Sequence, residues 1–165
     1  MAIVESAEAG LRAAAQGATM IQLRAPDKTA RDVEREAVRL KAESKLPVIV
    51  SARCDIALAA GLDGVNLPEN DISVADARRL LGSRWISRSV HSPDAEAAGA
   101  GYVIFGPVWP TASHPGRPAH GLEALKGIVR RSDIPVIAIG GVTAKRVAEV
   151  LEAGAAGYAS ITMFR

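Results

Sequence analysis

Cysteine is nearly absent from this chain. Cys54 stands alone among 165 residues, so no internal disulfide closes and no thiolate metal cluster assembles, which predicts a reducing, cytoplasmic setting. Aromatic residues make up only 4%, and the core must therefore be aliphatic. No apolar run approaches the ~18 residues that a membrane span requires, and the N-terminus lacks a charged, then apolar, then small-residue leader. Neither a membrane nor secretion is expected. An excess of one charge sign is missing too: 20 basic against 18 acidic residues leave +2, with Lys and Arg scattered along the chain. That balance excludes a nucleic-acid footprint, although it leaves room for a small anion. With 48% hydrophobic and 23% charged residues, disorder is excluded as well. One globular domain over residues 1–165 remains.

Seven short apolar runs are present: Thr19–Leu23, Pro47–Val50, Gly64–Leu67, Arg84–Val90, Tyr102–Val108, Ile134–Ile139 and Gly157–Thr162. Most are continuous rather than alternating, as strands buried on both faces are. Helical patterns separate them, among them Ala30–Lys45, Val74–Leu81, Leu122–Arg131 and Ala144–Ala153. The alternation predicts a parallel sheet with crossover helices. Gly17, Gly61, Gly99 and Gly154 each precede a strand and read as glycines that end a helix. Two architectures fit, an open doubly wound sheet or a (β/α) barrel. After the first strand comes Gln22-Leu23-Arg24-Ala25-Pro26-Asp27 rather than a glycine-rich dinucleotide loop. Ile139-Gly140-Gly141-Val142-Thr143 instead follows the second-to-last strand, where barrels often hold phosphate. The barrel is favoured.

In a barrel, functional groups gather at the C-terminal ends of the strands. Those ends offer Gln22 and Arg24, Ser89 and His91, Gly140 and Gly141, and Ile161 and Thr162. Gly140 and Gly141 let backbone N–H groups approach an anion, and a helix from about Thr143 adds its positive end, with the Thr162 hydroxyl nearby. The same glycines also suit a tight strand–helix corner. His91 lies between a strand ending at Val90 and a helix announced by Ser92 and Pro93, whose positive end favours a neutral imidazole able to shuttle protons. A purely structural histidine fits there too. Gln22 and Arg24, two apart, share one strand face, and an arginine at a barrel mouth suits a carboxylate or phosphate. The proline-rich loop Pro107–Gly121 contributes Thr111, Ser113, His114 and Arg117 and has the length of a lid. Arg53 and Asp55 are candidates for a local ion pair. No metal is expected, since Asp27, Asp55 and Asp71 are not spaced as a ligand cluster and His91 has no His or Glu helix partner.

Several segments together resemble the thiamine phosphate synthase/TenI superfamily of TIM barrels. They are Gly17–Arg24, Asp55–Leu58 with Gly64–Leu67, Ser89-Val90-His91-Ser92, Phe105–Thr111 and Ile134–Thr143. The resemblance runs over nearly the whole chain in order. It implies a barrel of thiamine biosynthesis acting on a small phosphorylated thiazole, with Gly140, Gly141 and Thr162 at the phosphate.

Departures are used to choose a branch. Where the synthase pattern has Gln-x-Arg-x-Lys, the lysine position is Pro26, and its Asn-Asp-Arg is Ser51-Ala52-Arg53, without the magnesium-binding carboxylate. Asp71 matches the other such aspartate. In the proline-rich loop the second threonine is Ser113 and the lysine is His114. The Ser-Val-His-Ser segment matches the TenI branch, and the expectation is a metal-independent thiazole tautomerase, an isomerase, with His91 as general acid/base and no cofactor. Two alternatives stay open. One is a synthase condensing hydroxymethylpyrimidine pyrophosphate with thiazole phosphate, which brings in Mg²⁺; the other is a non-catalytic phosphate-ligand regulatory protein.

A (β/α)₈ barrel usually needs ~200 residues or more. Against the family pattern, only Met1–Val4 stands for the first strand, and only Met163–Arg165 for the last helix. A shortened barrel with seven clear strands is expected, in which either Ala2–Val4 makes a stub strand or the barrel is open at the seam between first and last. An open seam leaves unpaired edges, from which a homo-oligomer covering them is predicted.

Overall fold

The computed structural model describes residues 1–92, 97–111, 116 and 118–164. Eight parallel strands follow one another in sequence order around a single sheet. They are β1 (Ala2–Val4), β2 (Ile21–Leu23), β3 (Val48–Ser51), β4 (Gly64–Leu67), β5 (Trp85–Val90), β6 (Tyr102–Phe105), β7 (Val136–Ile139) and β8 (Gly157–Ala159). Among the described residues six α-helices lie between them: α1 (Ala7–Ala15), α2 (Ala30–Glu43), α3 (Cys54–Ala59), α4 (Val74–Leu81), α5 (Gly121–Arg131) and α6 (Val147–Glu152). The fold is the expected TIM-type α/β barrel.

Of the two arrangements expected at the seam, the stub strand is the one formed, which adds an eighth strand to the seven clear ones. Ala2–Val4 is a true strand, paired with Ile21–Leu23, so there are eight strands rather than seven. Its other edge is not open. Ile3 N donates to Ser160 O at 3.0 Å, Ser160 N donates to Met1 O at 3.1 Å, and Ala2 bridges Ser160 in parallel. Three residues are too few to show a periodicity, and β1 is a strand because both its neighbours offer matching backbone groups. Beyond Ser160 the chain leaves the sheet at Ile161 and Thr162, and Phe164 is buried in the larger core cluster.

Local chemistry explains the helix ends. Ser6, Thr29 and Ser73 cap α1, α2 and α4 by accepting from Ala9 N, Asp32 N and Asp76 N. Asp32 and Asp76 in turn accept from the capping hydroxyls of Thr29 and Ser73 at 2.6 and 2.7 Å, so each cap is held twice. Gly17, Gly61, Gly99 and Gly154 all adopt positive φ, as the turn before each strand requires. Outside the barrel, Leu40, Leu62, Leu81, Leu125 and Val150 are fully buried between helices and strands. Inside, the strands between β2 and β5 place Gln22, Ser51, Asn66, Ser87 and Ser89, a polar layer rather than an aliphatic plug.

Candidate active site

At the C-terminal ends of the strands lies a cavity of about 270 Å³. Among the predicted residues, Gln22, Arg24, Ser89, His91, Thr111, Gly140, Gly141, Ile161 and Thr162 all line it. Ser113, His114 and Arg117, like the helix start expected at Pro93, lie outside the described residues. Ser51, Asn66 and Pro68 line the cavity as well and were not foreseen.

The β2–β5 wall is a chain of side-chain hydrogen bonds. Gln22 Nε2 donates to Ser51 Oγ at 2.6 Å. Asn66 Nδ2 donates to Ser89 Oγ at 3.0 Å and Asn66 Oδ1 accepts from Ser87 Oγ at 2.9 Å. In-register pairing of Ser51, Asn66 and Ser87 on adjacent strands makes these contacts possible. Gln22 is only 2% exposed, yet its Oε1 has no partner among the described residues. A buried carbonyl left unpaired costs about 1–3 kcal/mol, which a ligand N–H donor at this wall would recover. Arg24 is exposed at the rim and forms no ion pair among the described residues.

His91 is half-buried at the edge of this wall. Its Nδ1 lies 2.6 Å from Gly106 O, and a carbonyl only accepts, so Nδ1 holds the proton. In the neutral ring Nε2 is then the acceptor. The backbone N of His91 donates to Glu69 Oε1 at 3.1 Å, which fixes the residue from the neighbouring loop.

Backbone rather than side chain forms the opposite wall. Gly140 and Gly141 adopt φ of +91° and +66°. A Cβ on Gly140 would sit 2.5 Å from Pro107 Cα, and one on Gly141 would sit 2.6 Å from Trp109 Cβ. Glycine is therefore required here by conformation and by the loop packed on top, as well as leaving N–H groups bare for an anion. That loop is pinned at its base, with Val108 N donating to Ile139 O at 2.9 Å and Trp109 N to Gly140 O at 3.0 Å. Arg146 donates to Gly141 O at 2.7 Å and lies 4.9 Å from the centre of the Trp109 ring. The helix expected from Thr143 begins instead as a short 3₁₀ turn, Ala144–Arg146, before the six-residue α6. A helix that short adds little dipole, so the bare N–H groups dominate any anion contact.

Arg53 and Asp55 pair as expected, Nε to Oδ1 at 2.9 Å and Nη2 to Oδ2 at 2.5 Å. This hydrogen bonding holds the Asp55 carboxyl below its ordinary range and raises the guanidinium. Arg53 is therefore engaged outside the cavity. Cys54 is buried, and desolvation, then the Asp71 and Asp55 charges, push its thiol up. It is an inert thiol rather than a nucleophile.

A magnesium–diphosphate site was tested on the same residues. Among the described residues no carboxylate lines the cavity and no cluster of three potential ligands exists. Where the family pattern has its aspartate stands Ala52, at φ +62°, a conformation that Asn or Asp tolerates better than Ala. Asp71 Oδ1 already accepts from Ile72 N at 2.7 Å. The described residues do not fit a protein-held magnesium ion.

The family model described as thiamine monophosphate synthase matches residues 3–164. The thiamine-phosphate synthase of Chloroflexus aurantiacus is 36% identical, over 98% of this chain and 76% of that protein. The thiamine-phosphate synthase of Methanoculleus marisnigri is 42% identical, over 91% of this chain and 75% of its own. The solved thiamine phosphate pyrophosphorylase from Pyrococcus furiosus superposes with a TM-score of 0.86 at 32% identity, covering 98% of this chain and 84% of that one. These relatives overturn the tautomerase expectation. They are named for a transferase activity, and the isomerase role, with His91 as its general acid/base, falls with it. Likeness to synthases runs along the whole chain, whereas the departures at Pro26, Ala52, Ser113 and His114 touch only a few loop positions. The synthase alternative is the better supported.

Proposed function

The chain belongs to the thiamine monophosphate synthase family, and from that premise we propose that it is a thiamine-phosphate synthase, joining hydroxymethylpyrimidine pyrophosphate to thiazole phosphate. Whole-chain identity with proteins of that name is the observation that most supports it. Membership already implies small phosphorylated substrates. In the reaction the bond from the pyrimidine methylene to the pyrophosphate oxygen breaks, its electrons leave with pyrophosphate, and the thiazole nitrogen forms the new C–N bond.

The two walls of the cavity suit the two partners. Gln22 Oε1, buried and unpaired, accepts from an amino group on the pyrimidine, while Ser51 holds its amide in place. Ser89, fixed by Asn66, adds a hydroxyl beside it. Arg24 at the rim is the cation for the leaving diphosphate. Across the cavity, Gly140, Gly141, Ile161 and Thr162 receive the thiazole phosphate, with Thr111 beside them; Ser113, the other hydroxyl expected there, lies outside the described residues. His91 presents Nε2 as a hydrogen-bond acceptor between the two substrates. No helix among the described residues is long and apolar enough to cross a membrane, and the unpaired Cys54 suits a cytoplasmic location. A homo-oligomer across the β8–β1 seam is part of the proposal, supported by Tyr158 and Met163, which the core buries only in part; a monomer by light scattering at micromolar concentration removes it.

The test is direct. Purified protein is incubated with both substrates, with and without added magnesium, and thiamine phosphate and pyrophosphate are quantified. Equal release of the two is expected. Absence of thiamine phosphate under both conditions overturns the assignment.

A further inference from the structure

Arg88 is a buried cation that the proposed chemistry does not use. It lies on β5 between Ser87 and Ser89, which face the interior, so its side chain leaves the barrel on the opposite side. Only 4% of it is exposed, and among the described residues it forms no ion pair. Backbone carbonyls surround it instead. Nη1 donates to Pro68 O at 2.6 Å, and more weakly to Asp71 O at 3.4 Å and Glu69 O at 3.5 Å. Nη2 donates to Ile72 O at 2.6 Å, and the buried Nε has no partner among the described residues. All four acceptors belong to one segment, the loop from β4 to α4.

Burying a guanidinium without a carboxylate is unfavourable unless its hydrogen bonds are good. Here the planar fork bonds both ends of the five-residue stretch Pro68–Ile72 at once, a geometry that a lysine ammonium cannot reproduce. The loop so shaped forms part of the cavity. Pro68, whose carbonyl Arg88 holds most closely, lines it, and Glu69 holds the backbone N of His91, which also lines it.

We propose that Arg88 is a positioning residue for the active site: it moulds the β4–α4 loop from behind, so that Pro68 and, through Glu69, His91 stand at fixed places on the cavity wall. Its effect on turnover rests on the synthase assignment; its effect on His91 does not.

Arg88→Lys is the decisive variant, because it keeps the charge and removes the fork. It is expected to fold, with a native circular-dichroism spectrum, and to raise KM for the pyrimidine substrate by about tenfold while kcat changes by less than about threefold. The His91 imidazole proton resonance, assigned by comparison with His91→Gln, is expected to move in Arg88→Lys. In Arg88→Ala, millimolar methylguanidinium is expected to restore both the resonance and the lower KM. A folded Arg88→Lys with unchanged KM and an unmoved His91 resonance overturns the proposal. If the wild-type protein makes no thiamine phosphate, the resonance alone decides the matter, and an unmoved signal overturns the proposal as before.

Discussion

The two walls of the cavity are made of different materials. Between β2 and β5 the surface consists of side chains held by one another: Gln22 on Ser51, and Asn66 between Ser87 and Ser89. Between β6 and β8 it is mostly backbone, left bare by Gly140 and Gly141 and fixed by the loop that packs over them. A side-chain wall reads donors and acceptors in one pattern, as ring recognition needs. A backbone wall with positive φ offers N–H groups to any compact anion. The first is vulnerable to loss of a partner, the second to gain of a methyl group.

The largest effect is expected from that methyl group. Gly140→Ala places Cβ against Pro107 at a φ of +91°. The strain and the clash together are expected to cost about 2–4 kcal/mol in urea unfolding, with loss of thiazole phosphate binding by calorimetry. Next comes Asn66→Leu, which leaves the buried Ser87 hydroxyl only its long 3.5 Å bond to Val65 O and frees Ser89. A loss of about 1–3 kcal/mol is expected, with a raised KM for the pyrimidine but not the thiazole substrate. Equal changes in both KM values break the division between the walls. Gln22→Met sharpens it further. Because relief of the unpaired Oε1 offsets loss of the Nε2–Ser51 bond, stability is expected to shift by less than about 1 kcal/mol, while pyrimidine binding weakens by tenfold or more.

Acid offers the mildest test. Glu36 on α2 is pushed up by burial, but the Ala7 N–H at 2.7 Å and Lys28 outweigh this and leave its pKa lowered. A lowered carboxyl contributes stability above its unfolded value of about 4.3, and that contribution is lost as pH falls through the folded value. Hydrogen exchange of the α1 and α2 amides is therefore expected to quicken below about pH 4, with α5 slower to respond. In Glu36→Gln the acid response of α1 and α2 is expected to vanish; an unchanged response locates it elsewhere.

Much of this was visible in the sequence, for identifiable reasons. Continuous Val and Ile runs and the glycines before strands announced a parallel barrel, because both signals are local. Strand β1 was not, since three residues become a strand only through neighbours distant in the chain. At the site, eight strand-end residues and Thr111 from the proline-rich loop line the cavity, but Ser51 and Asn66 escaped. A polar residue within a buried run signals a partner across the sheet, and only Gly64-Val65-Asn66-Leu67 offered that hint. Arg88 escaped more completely, because residue type alone assigns an arginine to the surface. The branch was misjudged where a few loop substitutions outweighed continuous likeness.

The stacking of Trp109 on Arg146 gives the molecule an optical reporter. The chain has two tryptophans. Trp85 begins β5 at the far end of the barrel, and Trp109 rests on Gly141 beside the cavity. Indole emission thus samples both poles of the protein, and with Trp85 replaced by phenylalanine it reports from the Gly140–Gly141 end alone.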